Sequence, residues 1–285
     1  SQQFAMIPMN LLRGKTTADY LNTGAWSKKA IGEAKKFATV NVVATGEDKN
    51  FSYIPAFDSW KRDSDAAYLH YTPNETIGGV EFNWVPDSGE TPLVADMSSC
   101  ILSRSIDVSK FALIYAGSQK NIGPAGLTIV IVREDLIGEV ASGTPTMLDY
   151  KTHADNDSMY NTPPTYAIYI AGLVFQWLKK NGGIAEMEKV NIAKSKLLYD
   201  AIDSSNGFYA CPTAQSDRSR MNVPFTLANA DLDADFLKQA GERGLVQLKG
   251  HRSVGGMRAS IYNAMPAEGV QALVDFMNEF AKSNS

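Results

Sequence analysis

The chain has 285 residues, enough to bury one large core or a large and a small one. Its 27 basic and 31 acidic residues leave a net charge of −4, which argues against a nucleic-acid-binding surface, because such a surface would be basic. No apolar run has the length of a membrane span, and two cysteines, Cys100 and Cys211, are too few for a disulfide scaffold. We therefore expect a cytoplasmic protein with two free thiols and no metal site, since zinc-type ligand spacing is absent from the sequence.

The first two thirds of the chain predict an α/β fold with a mainly parallel sheet between helices. The apolar residues 5–12 have a helical pattern. Short apolar runs rich in β-branched residues then predict buried strands. These runs are residues 37–43, 67–71, 93–96, 111–115 and 127–132.

The remainder predicts a small α+β domain packed on the larger one. Residues 164–181 have apolar residues at helical spacing, and the pair Gly182 and Gly183 marks the end of that helix. A long helix over 184–204 leads into strands at 221–227 and 256–263 and helices at 234–241 and 266–282. We therefore expect a large domain over 1–185, a linking helix and small domain over 186–285, and a substrate site between them.

Lys120 lies in a turn-rich loop between two of the predicted strands. The loop 116–126 contains three glycines and a proline, so it predicts a tight connection. A lysine at the end of a buried strand can be desolvated, lose its proton and attack a carbonyl. The alternative is an ordinary solvated loop lysine.

Asp96 closes the preceding predicted strand, 24 residues before Lys120. Ligands of parallel α/β sheets bind beyond the carboxyl ends of the strands, so Asp96 and Lys120 can face the same crevice. This pair suits pyridoxal phosphate, whose aldehyde a lysine holds and whose ring nitrogen an aspartate keeps protonated. A helix-capping aspartate or a structural ion pair is an equal alternative for Asp96 alone.

The loop 117–126, GSQKNIGPAG, resembles the cofactor-binding lysine motif of the phosphoserine aminotransferases, a family of fold-type-I pyridoxal phosphate enzymes. The resemblance covers essentially the whole chain in order. It continues through 70–76 (HYTPNET), 95–99 (ADMSS), 159–165 (MYNTPPT), 218–224 (RSRMNVP) and 249–263 (KGHRSVGGMRASIYN).

The start of the chain departs from the family pattern. In the family, a glycine-rich turn and a longer N-terminal segment precede the match to Gln3 and Phe4. We expect that the chain begins inside the turn that binds the cofactor's phosphate, and that it binds cofactor more weakly than a longer version, with little or no turnover.

The resemblance assigns further cofactor-binding residues. Trp26 would stack on the pyridine ring, and Thr76 would reach the ring oxygen; without the family, a core tryptophan and a helix N-cap are the alternatives. Ser1 and Gln119 would contact the phosphate. Residues Asn161 and Thr162 would reach the cofactor of a neighbouring subunit in a homodimer with shared sites, although a simple turn before a helix is the alternative.

Substrate-binding residues are expected in the C-terminal part. The guanidinium of Arg258, on a predicted strand, can clamp an α-carboxylate with two hydrogen bonds. His251 and Arg252 lie in a glycine-flanked loop, 250–255, that suits a phosphate monoester. Each arginine alone is more often a surface ion pair. His70 and His153 lack such a context and are interpreted as structural or solvated.

The resemblance implies transfer of an amino group between glutamate and 3-phosphohydroxypyruvate, giving phosphoserine and 2-oxoglutarate in serine biosynthesis. The sequence leaves open a phosphorylated hydroxythreonine of pyridoxine biosynthesis as a second substrate. It also leaves open another fold-type-I reaction, such as a cysteine desulfurase-like or alanine–glyoxylate-type activity, or a folded inactive form.

Overall fold

A six-stranded sheet forms the centre of the computed structural model, which describes residues 1–252 and 254–284. Its strands are β1 (Thr17–Asn22), β2 (Thr39–Thr45), β3 (Leu69–Tyr71), β6 (Leu93–Asp96), β7 (Leu113–Gly117) and β8 (Thr128–Val132). The strand order is β2-β1-β3-β6-β7-β8, and all neighbouring strands are parallel except β7 and β8. The predicted α/β fold with a mainly parallel sheet is therefore confirmed.

Apolar side chains cover both faces of this sheet, as expected for parallel strands buried between helices. One cluster joins the sheet to the helices at the start of the chain and includes Phe4, Tyr20 and Tyr68. The cluster on the other face includes Leu21, Tyr71 and Phe82. The helices of this part are α1 (Gln3–Leu11), α2 (Ala25–Ala34), α3 (Tyr150–Asp155) and α4 (Thr165–Lys180).

A second apolar core, with members from Leu198 to Phe280, lies in the C-terminal part. It is built around the antiparallel sheet β11-β10-β9 and the helices packed on it. Gly182 and Gly183 have φ of +92° and +77°, values that favour glycine and separate α4 from the long helix α5. The elements are α5 (Gly183–Asp203), β9 (Tyr209–Ala210), β10 (Asn222–Leu227), α6 (Asp233–Glu242), β11 (Met257–Ser260) and α7 (Ala267–Asn284).

A short antiparallel ribbon lies close to the site described below. It consists of β4 (Asn74–Glu75) and β5 (Val80–Glu81), with Asn74 paired to Glu81 and Glu75 to Val80. No helix among residues 1–252 and 254–284 is long and apolar enough to cross a membrane. Cys100 and Cys211 are both free thiols, as predicted.

The sequence analysis missed β1 and α2, although β1 is a central strand. The pattern of β1 was missed because this buried strand contains a polar residue. Asp19 is fully buried in β1, and its carboxylate accepts hydrogen bonds from Asn41 Nδ2 at 2.8 Å and from the backbone amide of Asp63 at 3.1 Å. A buried carboxylate satisfied in this way interrupts the apolar run that identifies a strand.

Six of the seven predicted strands have bounds that differ from the observed ones by up to three residues at an end. The strand predicted at 37–43 is Thr39–Thr45, because Phe37 belongs to the turn that follows α2 and is 37% exposed. The strand predicted at 256–263 ends earlier, at Ser260.

Candidate active site

A cavity of about 980 Å³ opens beyond the carboxyl ends of β6 and β7. Because these parallel strands are neighbours, with Asp96 opposite Tyr115, the residues that follow them meet at one edge of the sheet. The cavity brings together six residues selected from the sequence. They are Ser1, Trp26, Thr76, Asp96, Gln119 and Lys120.

Lys120 follows β7 by three residues and is half-buried in this cavity. Its Nζ donates a hydrogen bond to Thr76 Oγ1 at 2.6 Å. Burial lowers the pKa of the amine, while the negative charge of Asp96 opposes this shift. The lysine is therefore not the solvated loop residue of the alternative interpretation, and its amine loses a proton more readily than a surface lysine does.

Asp96 is the last residue of β6 and is only 6% exposed. Its Oδ1 accepts a hydrogen bond from the backbone amide of Ser98 at 3.0 Å. This contact between an aspartate side chain and the amide two residues later is the local hydrogen bond typical of a turn or a helix cap. Within residues 1–252 and 254–284 it takes part in no ion pair. The structural ion pair considered from the sequence is thus absent from the described chain, and a negative charge faces the cavity.

Trp26 lies in the first turn of α2, and its ring centroid is 5.9 Å from Lys120 Nζ. The indole Nε1 is buried, and no hydrogen-bond partner is found for it among the described residues. Ser1 lies at the N-terminus of α1, where its carbonyl accepts a hydrogen bond from the amide of Phe4 at 3.0 Å. Backbone amides at a helix N-terminus attract anions such as phosphate.

Tyr115 and His70 contribute to this edge of the sheet, although sequence analysis did not select them for the site. The Tyr115 hydroxyl and His70 Nε2 are 3.0 Å apart, and the imidazole stacks on the ring of Tyr20. Burial lowers the pKa of His70 to about 3, so the ring is neutral near pH 7. Burial and then the charge of Asp96 raise the pKa of Tyr115. The only sequence signal for His70 was its place as the first residue of the motif 70–76.

Tyr262 was also missed. Its ring centroid is 6.0 Å from Lys120 Nζ, and its hydroxyl accepts a hydrogen bond from Asn222 Nδ2 at 3.0 Å. Tyr262 follows β11, so the C-terminal core supplies one side of the space around the lysine.

Five residues selected from the sequence are not among those that line the cavity. Arg258, on β11, is closest, because its Nη1 lies 3.4 Å from the carbonyl oxygen of Thr76. Residues Asn161 and Thr162 are exposed, although Pro163 and Pro164 directly after them do line the cavity. His251 and Arg252 are exposed in the loop 250–255, of which Ser253 lies outside the described residues.

These groups fit an aromatic aldehyde that carries a phosphate. The cavity offers an amine with a lowered pKa, a buried carboxylate, an indole with an unpaired N–H and the N-terminus of a helix. Among residues 1–252 and 254–284, no group of three or more potential metal ligands occurs. The fold and the site are those of a pyridoxal phosphate-dependent aminotransferase, and residues 1–273 match the family model of the class-V aminotransferases.

Comparison with known proteins narrows this class. The chain is 64% identical to the phosphoserine aminotransferase of Nitrosomonas europaea, over the whole chain and 79% of that relative. It superimposes with a TM-score of 0.97 and 49% identity on the phosphoserine aminotransferase of Bacillus circulans subsp. alkalophilus, covering the whole chain and 79% of that structure. The superposition on the pyridoxal phosphate-bound phosphoserine aminotransferase of Trichomonas vaginalis has a TM-score of 0.91 at 44% identity. It covers 97% of this chain and 79% of that structure.

The chain belongs to the phosphoserine aminotransferase family of the class-V aminotransferases. The predictions of this family, of aminotransferase activity and of pyridoxal phosphate as the cofactor are confirmed.

Proposed function

We propose that this chain transfers an amino group between glutamate and 3-phosphohydroxypyruvate, yielding phosphoserine and 2-oxoglutarate. The observation that carries the proposal is the half-buried Lys120, bonded to Thr76 in a cavity that also contains Asp96. The high identity to phosphoserine aminotransferases supports the choice of substrates.

Lys120 and Asp96 have the main chemical roles in this proposal. Bound pyridoxal phosphate supplies an aldehyde and an electron-withdrawing ring. Lys120 would hold the cofactor through its Nζ, and the same amine, once free, would take the proton from the substrate α-carbon. The lowered pKa of Lys120 suits both roles. Asp96 would stabilise a protonated ring nitrogen, which would favour the loss of that proton.

Four further residues of the cavity would hold the cofactor. Trp26 would stack on its ring, Thr76 would contact the ring oxygen, and Ser1 and Gln119 would bind the phosphate. Their common position on the cavity wall supports these roles. Thr76 and Lys120 are already hydrogen-bonded, so Thr76 also orients the amine.

Three residues recognise the substrate. Arg258 binds the α-carboxylate that glutamate and the phosphorylated substrate share, while His251 and Arg252 bind the phosphate. The contact between Arg258 Nη1 and the carbonyl oxygen of Thr76 supports this role, because the hydroxyl of the same threonine accepts the hydrogen bond from Lys120 Nζ. A planar guanidinium suits both anions, since it can donate two parallel hydrogen bonds.

A homodimer completes the site. We assign Asn161 and Thr162 to the cofactor phosphate of the partner subunit. Large apolar side chains are exposed around this segment: Met159 is 59% exposed, Tyr160 51% and Tyr166 74%. Exposed apolar surface of this density is typical of a protein interface. We also propose a cytoplasmic enzyme that binds small molecules rather than nucleic acid.

The domain division stays a proposal, with the cofactor domain over 1–185 and the substrate domain over 186–285. The separate apolar core between Leu198 and Phe280 supports it.

An amino-transfer assay tests the function. With pyridoxal phosphate added, any amino transfer should convert glutamate and 3-phosphohydroxypyruvate to phosphoserine, and alanine with glyoxylate should be a poorer pair. Preference for alanine and glyoxylate would favour the other fold-type-I reaction. Cofactor binding without transfer to any keto acid would support the inactive form.

A further inference from the structure

Glu75 is a fully buried glutamate on the strand β4. Its two carboxylate oxygens accept hydrogen bonds from the backbone amides of Trp26, at 3.0 Å, and Ser27, at 2.8 Å. It takes part in no ion pair within residues 1–252 and 254–284. Glu75 therefore places an acidic group that has no cationic ion-pair partner among the described residues under the first turn of α2, which begins about 50 residues earlier in the sequence.

The arrangement is specific to a carboxylate. Burial raises the pKa of Glu75, and the two amide donors oppose this shift by stabilising the charged form. Those amides lie at the positive end of α2, where a negative charge is favourable. Gly24 precedes the helix and has no side chain to cap it. A Cβ at Gly24 would lie 2.4 Å from Glu75 Cδ, so the carboxylate occupies space that only glycine leaves free.

Both ends of this contact lead to the active site. On one side, Trp26 projects from the clamped turn to line the cavity near Lys120. On the other side, Thr76 directly follows Glu75 and accepts the hydrogen bond from Lys120 Nζ. Two adjacent residues therefore fix the tryptophan and the lysine relative to each other.

We propose that Glu75 is a positioning residue for cofactor binding, because its carboxylate fixes the backbone of Trp26 and thereby the place of the indole against the cofactor ring. The inference rests on the proposed role of Trp26. The competing explanation is that Glu75 only stabilises α2, in which case it contributes to folding but not through Trp26 to the cofactor.

A double-mutant cycle on cofactor affinity separates the two explanations. The dissociation constant of pyridoxal phosphate is measured for the wild type, Glu75→Gln, Trp26→Ala and the double variant. Glutamine keeps the shape but offers one acceptor to two amide donors, so we expect affinity to fall roughly tenfold, as for one lost charge-assisted hydrogen bond. In the Trp26→Ala background, the same change should alter affinity less than about twofold, because the group that Glu75 positions is gone.

Glu81→Gln is the matched control. Glu81 lies on the partner strand β5, is equally buried, and accepts hydrogen bonds from the Arg220 amide and Nη2, both at 2.7 Å. The variant Glu81→Gln should lower the urea midpoint of unfolding of the cofactor-free protein without changing cofactor affinity. If Glu75→Gln does not fold, Gly24→Ala replaces it in the cycle, since the added methyl displaces the carboxylate without removing its charge.

Two results would overturn the inference: unchanged affinity in Glu75→Gln, or an equal loss with and without Trp26. Failure of the proposed function is separable, because it would show as a wild type that does not bind the cofactor or does not transfer amino groups.

Discussion

The two sides of the candidate site differ in how completely the chain itself builds them. On the cofactor side, Asp96 and Thr76 are buried, Lys120 is hydrogen-bonded, and Trp26 is held through its backbone amide. On the substrate side, Arg252 is exposed, and so are Asn161 and Thr162, which we assign to the partner subunit's site. We infer that one chain preorganises the groups that perform the chemistry, whereas the substrate and the partner subunit complete the rest of the site. The following predictions test this contrast.

The largest effect is expected at the centre of the cofactor side. Lys120→Ala should reduce amino transfer by several orders of magnitude, because one amine both holds the cofactor and moves the proton. The rate of phosphoserine formation measures this. Lys189→Ala is the control, since Lys189 is paired with Glu186 on the surface. A variant that keeps a tenth of the rate would remove Lys120 from the mechanism.

Asp96→Asn should slow the reaction by roughly a hundredfold to a thousandfold, the range for removing one preorganised electrostatic group. The cofactor should still bind, though more weakly. Rates under saturating cofactor separate the two effects, with Asp65→Asn as an exposed control. Near-normal turnover would contradict the role of the carboxylate.

The substrate side is expected to show smaller and more selective effects. Arg252→Ala should raise KM for 3-phosphohydroxypyruvate roughly tenfold to a hundredfold and leave that for glutamate nearly unchanged, because a charge-assisted hydrogen bond contributes about 1.5–3 kcal/mol. Arg258→Ala should raise both KM values. Steady-state kinetics measure these constants, and Arg133→Ala, in a surface pair with Asp135, is the control. Equal effects of Arg252→Ala on both substrates would exclude a phosphate contact.

The smallest effect concerns stability on the buried side. The pKa of His70 is about 3 in the folded chain and about 6.5 when unfolded, so only the unfolded state gains a proton as the pH falls below 6.5. This proton uptake should lower the free energy of unfolding by about 2 kcal/mol at about pH 5.

Urea titrations near pH 7.5 and 5 measure that loss. In His70→Gln the contribution of His70 to the pH dependence should disappear, although the variant is less stable throughout. A pH dependence unchanged in His70→Gln would show that the ring is protonated in the folded state.

Much of the cofactor side could be predicted from the sequence, because local patterns there coincide with chemistry. Lys120 stands in a glycine-rich loop after an apolar strand, and Asp96 ends the neighbouring one. The contact between Lys120 and Thr76 could not be predicted without the family, since it joins residues 44 apart and depends on the strand order. The burial of Glu75 could not be predicted from the sequence, because a glutamate in a turn-like stretch is usually solvated.

The sequence could also not reveal β1, where a buried Asp19 interrupts the apolar pattern. The burial of Asp19 depends on hydrogen bonds from Asn41 and from the amide of Asp63, and these groups come close to Asp19 only after the sheet has formed. A buried polar group needs hydrogen-bond partners that are distant in the sequence. The periodicity of apolar residues does not indicate which residues these partners are.

Chemical trapping at Lys120 tests the central claim most directly. The protein is incubated with pyridoxal phosphate, reduced with borohydride and digested, and the labelled peptide is identified by mass spectrometry. We predict that the cofactor's mass is attached to Lys120, and that Lys120→Ala takes up no label at this peptide. A label on another lysine, with Lys120 unmodified, would contradict the account of the site.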